Sequence, residues 1–235
     1  MPWAPRNASM LLTILLSIMT QAPGAPTSIH PKLGRFAAAR TAEFSEISED
    51  RKAQLAKLAR WIEAQRASRL PARLVFICTH NSRRSHIAEH WARVAASLRG
   101  LSDVETFSGG TEATAFNPRS VAALRRAGFE IQVVEGSDPG NPRHLVSYAE
   151  SLPSVPAFSK IYSDELNPRE GFAAVMTCSS ADQACPFVLG ASARIPIPYE
   201  DPKRADGTAG EAATYDERVS EIAREMLFLM SLVDA

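Results

Sequence analysis

Cys78-Thr79-His80-Asn81-Ser82-Arg83-Arg84-Ser85 is the stretch of this chain whose residue types and spacing point most plainly to chemistry. Five residues separate a thiol from a guanidinium, and a hydroxyl follows. A loop of this kind, wound into the N-terminus of a helix, aims backbone N–H groups inward and cradles an anion. The same positive field favours a thiolate, which would make Cys78 a nucleophile. Arg84 can grip two oxygens of a tetrahedral oxyanion at once, and Ser85 can donate to the thiolate. On this reading Thr79, His80, Asn81, Ser82, Arg83 and Arg84 bind the oxyanion. A buried cysteine at a strand end is the plainer alternative. The pattern gains its weight from its context, between a strand and a helix.

That context is legible. Arg73–Cys78 is a short apolar run that predicts a buried strand, and His86–Leu98 carries Ile87, Ala88, Trp91 and Val94 on one helical face. Val104–Ser108 predicts a second strand, closed by Gly109-Gly110. Asn117-Pro118 opens another helix and Gly128 closes it. Phe172–Thr177 and Ala193–Pro198 predict a third and a fourth strand, and Tyr215–Val233 a closing helix. Gly136–Ala157, rich in Pro, Gly and Ser, predicts a long surface loop. Before all of these, Ile47, Leu55, Leu58 and Ile62 recur at helical spacing within Thr41–Arg69. The expected architecture is α/β: a four-stranded parallel sheet flanked by helices, preceded by an extra N-terminal helix. Residues 28–72 form the helical extension and 73–235 the catalytic domain.

Composition narrows the function. The chain has 235 residues with 26 Lys+Arg against 26 Asp+Glu. Zero net charge argues against a general nucleic-acid binder but leaves room for a local anion site. Three cysteines are too few for a disulfide scaffold. No apolar run reaches the roughly 18 residues of a membrane span. Arg6, the apolar run Met10–Met19 and the small residues after it predict a signal peptide within residues 1–27, and so an exported or periplasmic protein. The alternative is a cytoplasmic chain with an over-extended start.

Several residues invite readings that context weakens. His86-Ile-Ala-Glu89-His90 matches H-x-x-E-H, and on a helix the two histidines would share a face able to bind zinc. The pattern is short, overlaps the better-explained loop and has no partner motif for a third ligand, so no metal is expected. His30 and His144 are expected to be solvated, and Trp61 and Trp91 to serve packing.

Leu74–Trp91 resembles the phosphate-binding loop of the low-molecular-weight protein tyrosine phosphatase superfamily. Phe107-Ser-Gly-Gly-Thr-Glu112 with Phe116-Asn-Pro118 is similar to its second-strand segment, and Tyr199-Glu200-Asp201-Pro202 to its late Asp-Pro loop. The resemblance implies that Asp201 is the general acid. Cys178-Ser-Ser-Ala-Asp-Gln-Ala-Cys185-Pro186 is similar to the redox loop of the thioredoxin-coupled arsenate reductases in this superfamily. For that branch the resemblance implies attack of Cys78 on arsenate, resolution by Cys178 and transfer of the disulfide to Cys178–Cys185. A thioredoxin-like protein then reduces that bond.

The competing branch hydrolyses phosphotyrosine through a phosphocysteine. Its members usually follow Asp-Pro with aromatic residues, whereas Lys203-Arg204-Ala205 stands here. Two further positions depart from the reductase pattern: His80 where Gly is common, and Arg83 where Cys is frequent. The resemblance also implies a cation site, with Asn81, Glu89 and Ser108 at the matching positions. Either a potassium ion or ion-free hydrogen bonds would stabilise the loop there.

Overall fold

The computed structural model describes residues 28–184 and 187–234. The expected signal peptide and Cys185 lie outside the described residues. Helices α1 (Pro31–Thr41) and α2 (Glu49–Ala67) lead into β1 (Ala72–Cys78), α3 (Arg84–Leu98), β2 (Val104–Gly110) and α4 (Pro118–Ala127). Then come β3 (Glu130–Val133), β4 (His144–Ser147), β5 (Val155–Ala157), β6 (Phe172–Met176), α5 (Ser179–Ala184), β7 (Ala191–Pro196) and α6 (Glu211–Ser231).

The main sheet has the order β2-β1-β6-β7 and is parallel throughout. Its strands are the four expected from the sequence. β1 occupies a central position with apolar residues on both faces, as a doubly covered parallel strand requires. Leu74 and Phe76 face a large core shared with Leu33 of α1, Leu55 of α2, Trp91 of α3, Val121 of α4 and Met226 of α6. Val75 and Ile77 face a smaller cluster with Phe172, Met176, Cys178 and Val188. Trp91, fully buried, stacks on Phe36 and meets Phe129 edge-on, both at 5.3 Å. It serves packing, as expected, and Trp61 packs at the margin of the same core.

The N-terminal helix expected over Thr41–Arg69 begins only at Glu49, as α2, and a further helix, α1, precedes it and ends at Thr41. A short 3-10 turn at Phe44–Glu46 joins the two, and there Phe44 meets Phe228 of α6 edge-on at 5.3 Å. Ser48 then caps α2 by accepting the Arg51 N–H. α4 starts and stops as its sequence says: Asn117 accepts the Arg119 N–H, and Gly128 ends the helix at φ 117°.

The loop expected over Gly136–Ala157 contains two short strands. With β3 they form a separate antiparallel sheet, β3-β4-β5. This sheet also corrects the reading of two histidines as solvated. His30 is buried, with Nε2 3.0 Å from Ser147 Oγ, because Ile29 bridges to Ala149 beside β4. His144, on β4, is buried against the Phe116 ring at 5.4 Å. Among the described residues no helix is long and apolar enough to cross a membrane.

Candidate active site

Cys78 ends β1, and the residues after it turn into the N-terminus of α3. Neighbouring segments take the loop's carbonyls outward. Thr111 N–H donates to Cys78 O (3.2 Å), Glu112 N–H to Thr79 O (3.0 Å), and Asn117 N–H to Ser82 O (2.9 Å). Ser159 and Thr114 hydroxyls donate to His80 O at 2.8 and 3.3 Å. No N–H of residues 80–83 donates to a backbone carbonyl among the described residues. These amides are therefore left for an anion. Gly110 closes against the loop so tightly that an added Cβ would lie 2.7 Å from Thr79 O and 2.8 Å from Asn81 N.

Asn81 is the keystone. It adopts φ 44°, a left-handed conformation that Asn tolerates better than most residues. Its Nδ2 donates to Ser85 Oγ (2.9 Å) and Ser108 Oγ (3.0 Å), while Oδ1 accepts Lys160 N–H (2.9 Å). Ser85 Oγ lies 3.1 Å from Cys78 Sγ, where it can donate to a thiolate as expected. Both groups are buried. His80, half-exposed, sits at the rim with Nε2 3.4 Å from Glu112 Oε1.

Asp201 reaches the loop from the far side, held by both of its arginines. Arg83 donates to Oδ1 (2.7 Å) and Oδ2 (3.1 Å), and Arg84 donates to Oδ2 (2.9 Å) and to Tyr199 O (3.1 Å). The sequence placed Arg83 among the oxyanion-binding residues; in the fold it clamps the Asp-Pro loop. Burial alone would raise the Asp201 pKa. The Arg83 hydrogen bond, the Arg84 charge and the Lys203 N–H outweigh burial and hold the carboxyl below the usual carboxylate range. The N-terminal extension anchors the same loop. Arg51 of α2 donates to Pro198 O (2.6 Å), lies over the Tyr199 ring and pairs with buried Glu225 at 3.2 Å. Tyr199 OH donates to Glu225 at 2.7 Å.

Cys178 follows β6, fully buried. Its Sγ lies 3.6 Å from Thr79 Oγ1 and accepts the Ala181 N–H at 3.3 Å. The second thiol thus meets the residue next to the first, and neither is in a disulfide.

Sequence reasoning set aside His86 and His90. The structure brings both together with Glu89, all three buried, with candidate ligand atoms within 4.8 Å of one another. The H-x-x-E-H spacing was the signal. Burial, then the Lys160 charge and the neighbouring histidines, lowers the His86 pKa far below its ordinary value. Burial lowers that of His90 to about 4. Of the trio expected to surround a cation, Asn81, Glu89 and Ser108, the first two lie on the loop and on α3 and the third on β2. Asn81 turns its amide nitrogen to Ser108 and gives its oxygen to Lys160 N–H.

A family model described as low molecular weight phosphotyrosine protein phosphatase matches residues 73–138. An arsenate reductase of Bacillus subtilis (strain 168) is 30% identical over 149 residues, covering 63% of this chain and 86% of that protein. An arsenate reductase of Bacillus licheniformis is 28% identical over 152 residues, with the same coverage of 63% and 86%. Among solved structures, a low molecular weight protein tyrosine phosphatase from T. tengcongensis aligns with a TM-score of 0.46 at 18% identity. That alignment covers 68% of this chain and 98% of the other.

Proposed function

Since the chain belongs to the low-molecular-weight protein tyrosine phosphatase superfamily, in its arsenate reductase-like branch, we propose that this enzyme reduces arsenate to arsenite with its own cysteines. The observation that carries the reading is the buried Cys178 thiol, 3.6 Å from Thr79 Oγ1 at the edge of the anion loop. Phosphate-ester hydrolysis needs one thiol there; reduction needs a second.

In the proposed cycle arsenate enters the cradle of loop N–H groups and draws Arg84 from Asp201. The Cys78 thiolate attacks arsenic(V), forming an S–As bond, and one oxygen leaves as water. Asp201, ionised at rest, relays a proton to that oxygen only after Arg84 has turned to the substrate. The Cys178 thiolate then attacks Cys78 Sγ. The S–S bond forms as the S–As bond breaks, and its electron pair goes to arsenic, which departs as arsenite. The two sulfurs together lose the two electrons that arsenic gains. Cys185 attacks Cys178 Sγ, frees Cys78 as a thiolate and leaves a Cys178–Cys185 disulfide. An external dithiol protein of the thioredoxin kind reduces it.

Phosphotyrosine hydrolysis is the second reading, favoured by the phosphatase family model that matches the loop. The basic pair Lys203-Arg204 after Pro202, where that branch carries aromatic residues, counts against it. The variant Cys185→Ser separates the two. Multiple-turnover arsenate reduction with thioredoxin should fall to background, while hydrolysis of p-nitrophenyl phosphate stays within about twofold, since the loop chemistry needs only Cys78. Arsenate turnover at the wild-type rate in that variant would refute the three-cysteine cycle.

A further inference from the structure

We propose that His86, Glu89 and His90 hold a first-row transition-metal ion of the zinc class, a structural centre behind the anion loop. The three residues occupy positions i, i+3 and i+4 at the start of α3, so one helix face presents all of them. Their relative exposures are 0%, 4% and 1%. One ligand atom from each lies within 4.8 Å of the others. A tetrahedral ion with bonds near 2.1 Å needs its ligand atoms about 3.4 Å apart, so side-chain rotation must close the set by up to about 1.4 Å, with a water as the fourth ligand.

The second observation is independent of this spacing. Nε2 of His90, on a side chain 1% exposed, is buried and has no hydrogen-bond partner, and Nε2 of His86 is likewise unpartnered on the ring whose Nδ1 faces Glu89. A buried polar atom without a partner is costly, and an ion is one of the standard reasons such atoms are found. The donor chemistry then selects the class of ion. Two imidazoles and a carboxylate suit zinc, cobalt or nickel, whereas an alkali ion seeks oxygens. Asn81, the nearest amide, spends its oxygen on Lys160 N–H.

The surroundings supply the outer contacts that ligands of this kind need. Glu89 Oε1 lies 3.7 Å from Arg93, an outer contact, while Oε2 lies 3.9 Å from His86 Nδ1, inside the ligand set. His86 Nδ1 also lies 3.4 Å from Ser108 Oγ, which accepts from Asn81. The ion would thus brace α3 against the residue that shapes the loop, without touching the oxyanion. The assignment does not depend on which oxyanion the loop accepts.

The test is metal content. Protein from zinc-supplemented cultures, gel-filtered without chelator, should carry about one equivalent by mass spectrometry, the stoichiometry of a single three-ligand site. His90→Gln and Glu89→Gln should each carry less than about a tenth of that, a loss of the size removing a ligand or its support produces. Cys78→Ser should keep the full content. Circular dichroism of each variant verifies its fold, and the two conservative substitutions guard against failure of either one. Cobalt-grown protein should show ligand-field bands without thiolate-to-cobalt charge transfer. Metal-free wild type or undiminished metal in His90→Gln would overturn the proposal. So would loss of metal in Cys78→Ser, which would move the ion to the thiol.

Discussion

The loop after β1 and the segment after β6 both carry a buried free thiol, and they are built in opposite ways. The first is fixed from all sides: the carbonyls of Cys78, Thr79, His80 and Ser82 each accept a hydrogen bond from another segment, and Asn81 makes three more through its side chain. The second leaves the sheet through a helix of only six residues. Beyond it Phe187 and Leu189 are 75% and 71% exposed. The difference matches the two jobs proposed for them. An anion site works by holding donors still before charge develops. A disulfide relay works by carrying a sulfur from one partner to the next.

Substitutions in the two regions should therefore separate cleanly. The largest effect belongs to the loop. Cys78→Ser should lower both arsenate reduction and phosphate-ester hydrolysis by on the order of 10^4-fold or more, since loss of a nucleophile removes the covalent route altogether. Next comes the segment after β6. Cys178→Ser should bring multiple-turnover reduction to background yet leave phosphate-ester hydrolysis within about threefold of wild type, because its sulfur takes no part in forming the first covalent bond. Parallel loss of both activities would mean that the segment shapes the loop, and the comparison would fail.

A smaller effect tests the anchor shared by the N-terminal helices and the Asp-Pro loop. Arg51→Ala removes the 3.2 Å partner of buried Glu225, which keeps the Tyr199 hydroxyl, and should cost about 2 kcal/mol in urea unfolding, the usual loss of one hydrogen bond to a charged group. Arg51→Lys should recover part of it. The smallest effect is a pH dependence. The folded-state pKa of Asp201 lies below its ordinary value, so its contribution is present above the unfolded pKa and is lost as pH falls through the folded one. From pH 5 down to pH 3, wild type should lose on the order of 1 kcal/mol more stability than Asp201→Asn, the range of a partly screened ion pair. Equal losses would show that the Arg83 and Arg84 clamp contributes no linkage.

What the sequence disclosed follows the strength of each local signal. The buried strands β1 and β6 and the capped α4 were legible because continuous apolar runs and an Asn-Pro start are decided locally. The turn at Phe44 was not, because there Phe44 meets Phe228, far along the chain. The small antiparallel sheet was missed because β4 and β5 are four and three residues long and sit among prolines and glycines. Its absence from the reading also made His30 and His144 look solvated. At the site, Cys78, Ser85 and Asp201 stand where the motif implied. That Arg83 and Arg84 share one carboxylate could not be read, since it depends on how the Asp-Pro loop folds back over α3. His86, Glu89 and His90 were recognisable as a pattern, but only their common burial gives the pattern meaning.

A thiol map of the reduced protein tests the central claim most directly. Reduced enzyme receives one equivalent of arsenate without any reductant, is alkylated and is mapped by mass spectrometry. The three-cysteine account predicts a Cys178–Cys185 disulfide that forms only with arsenate, one per arsenite released, with Cys78 alkylated. Three alkylated cysteines and unchanged arsenate would contradict it.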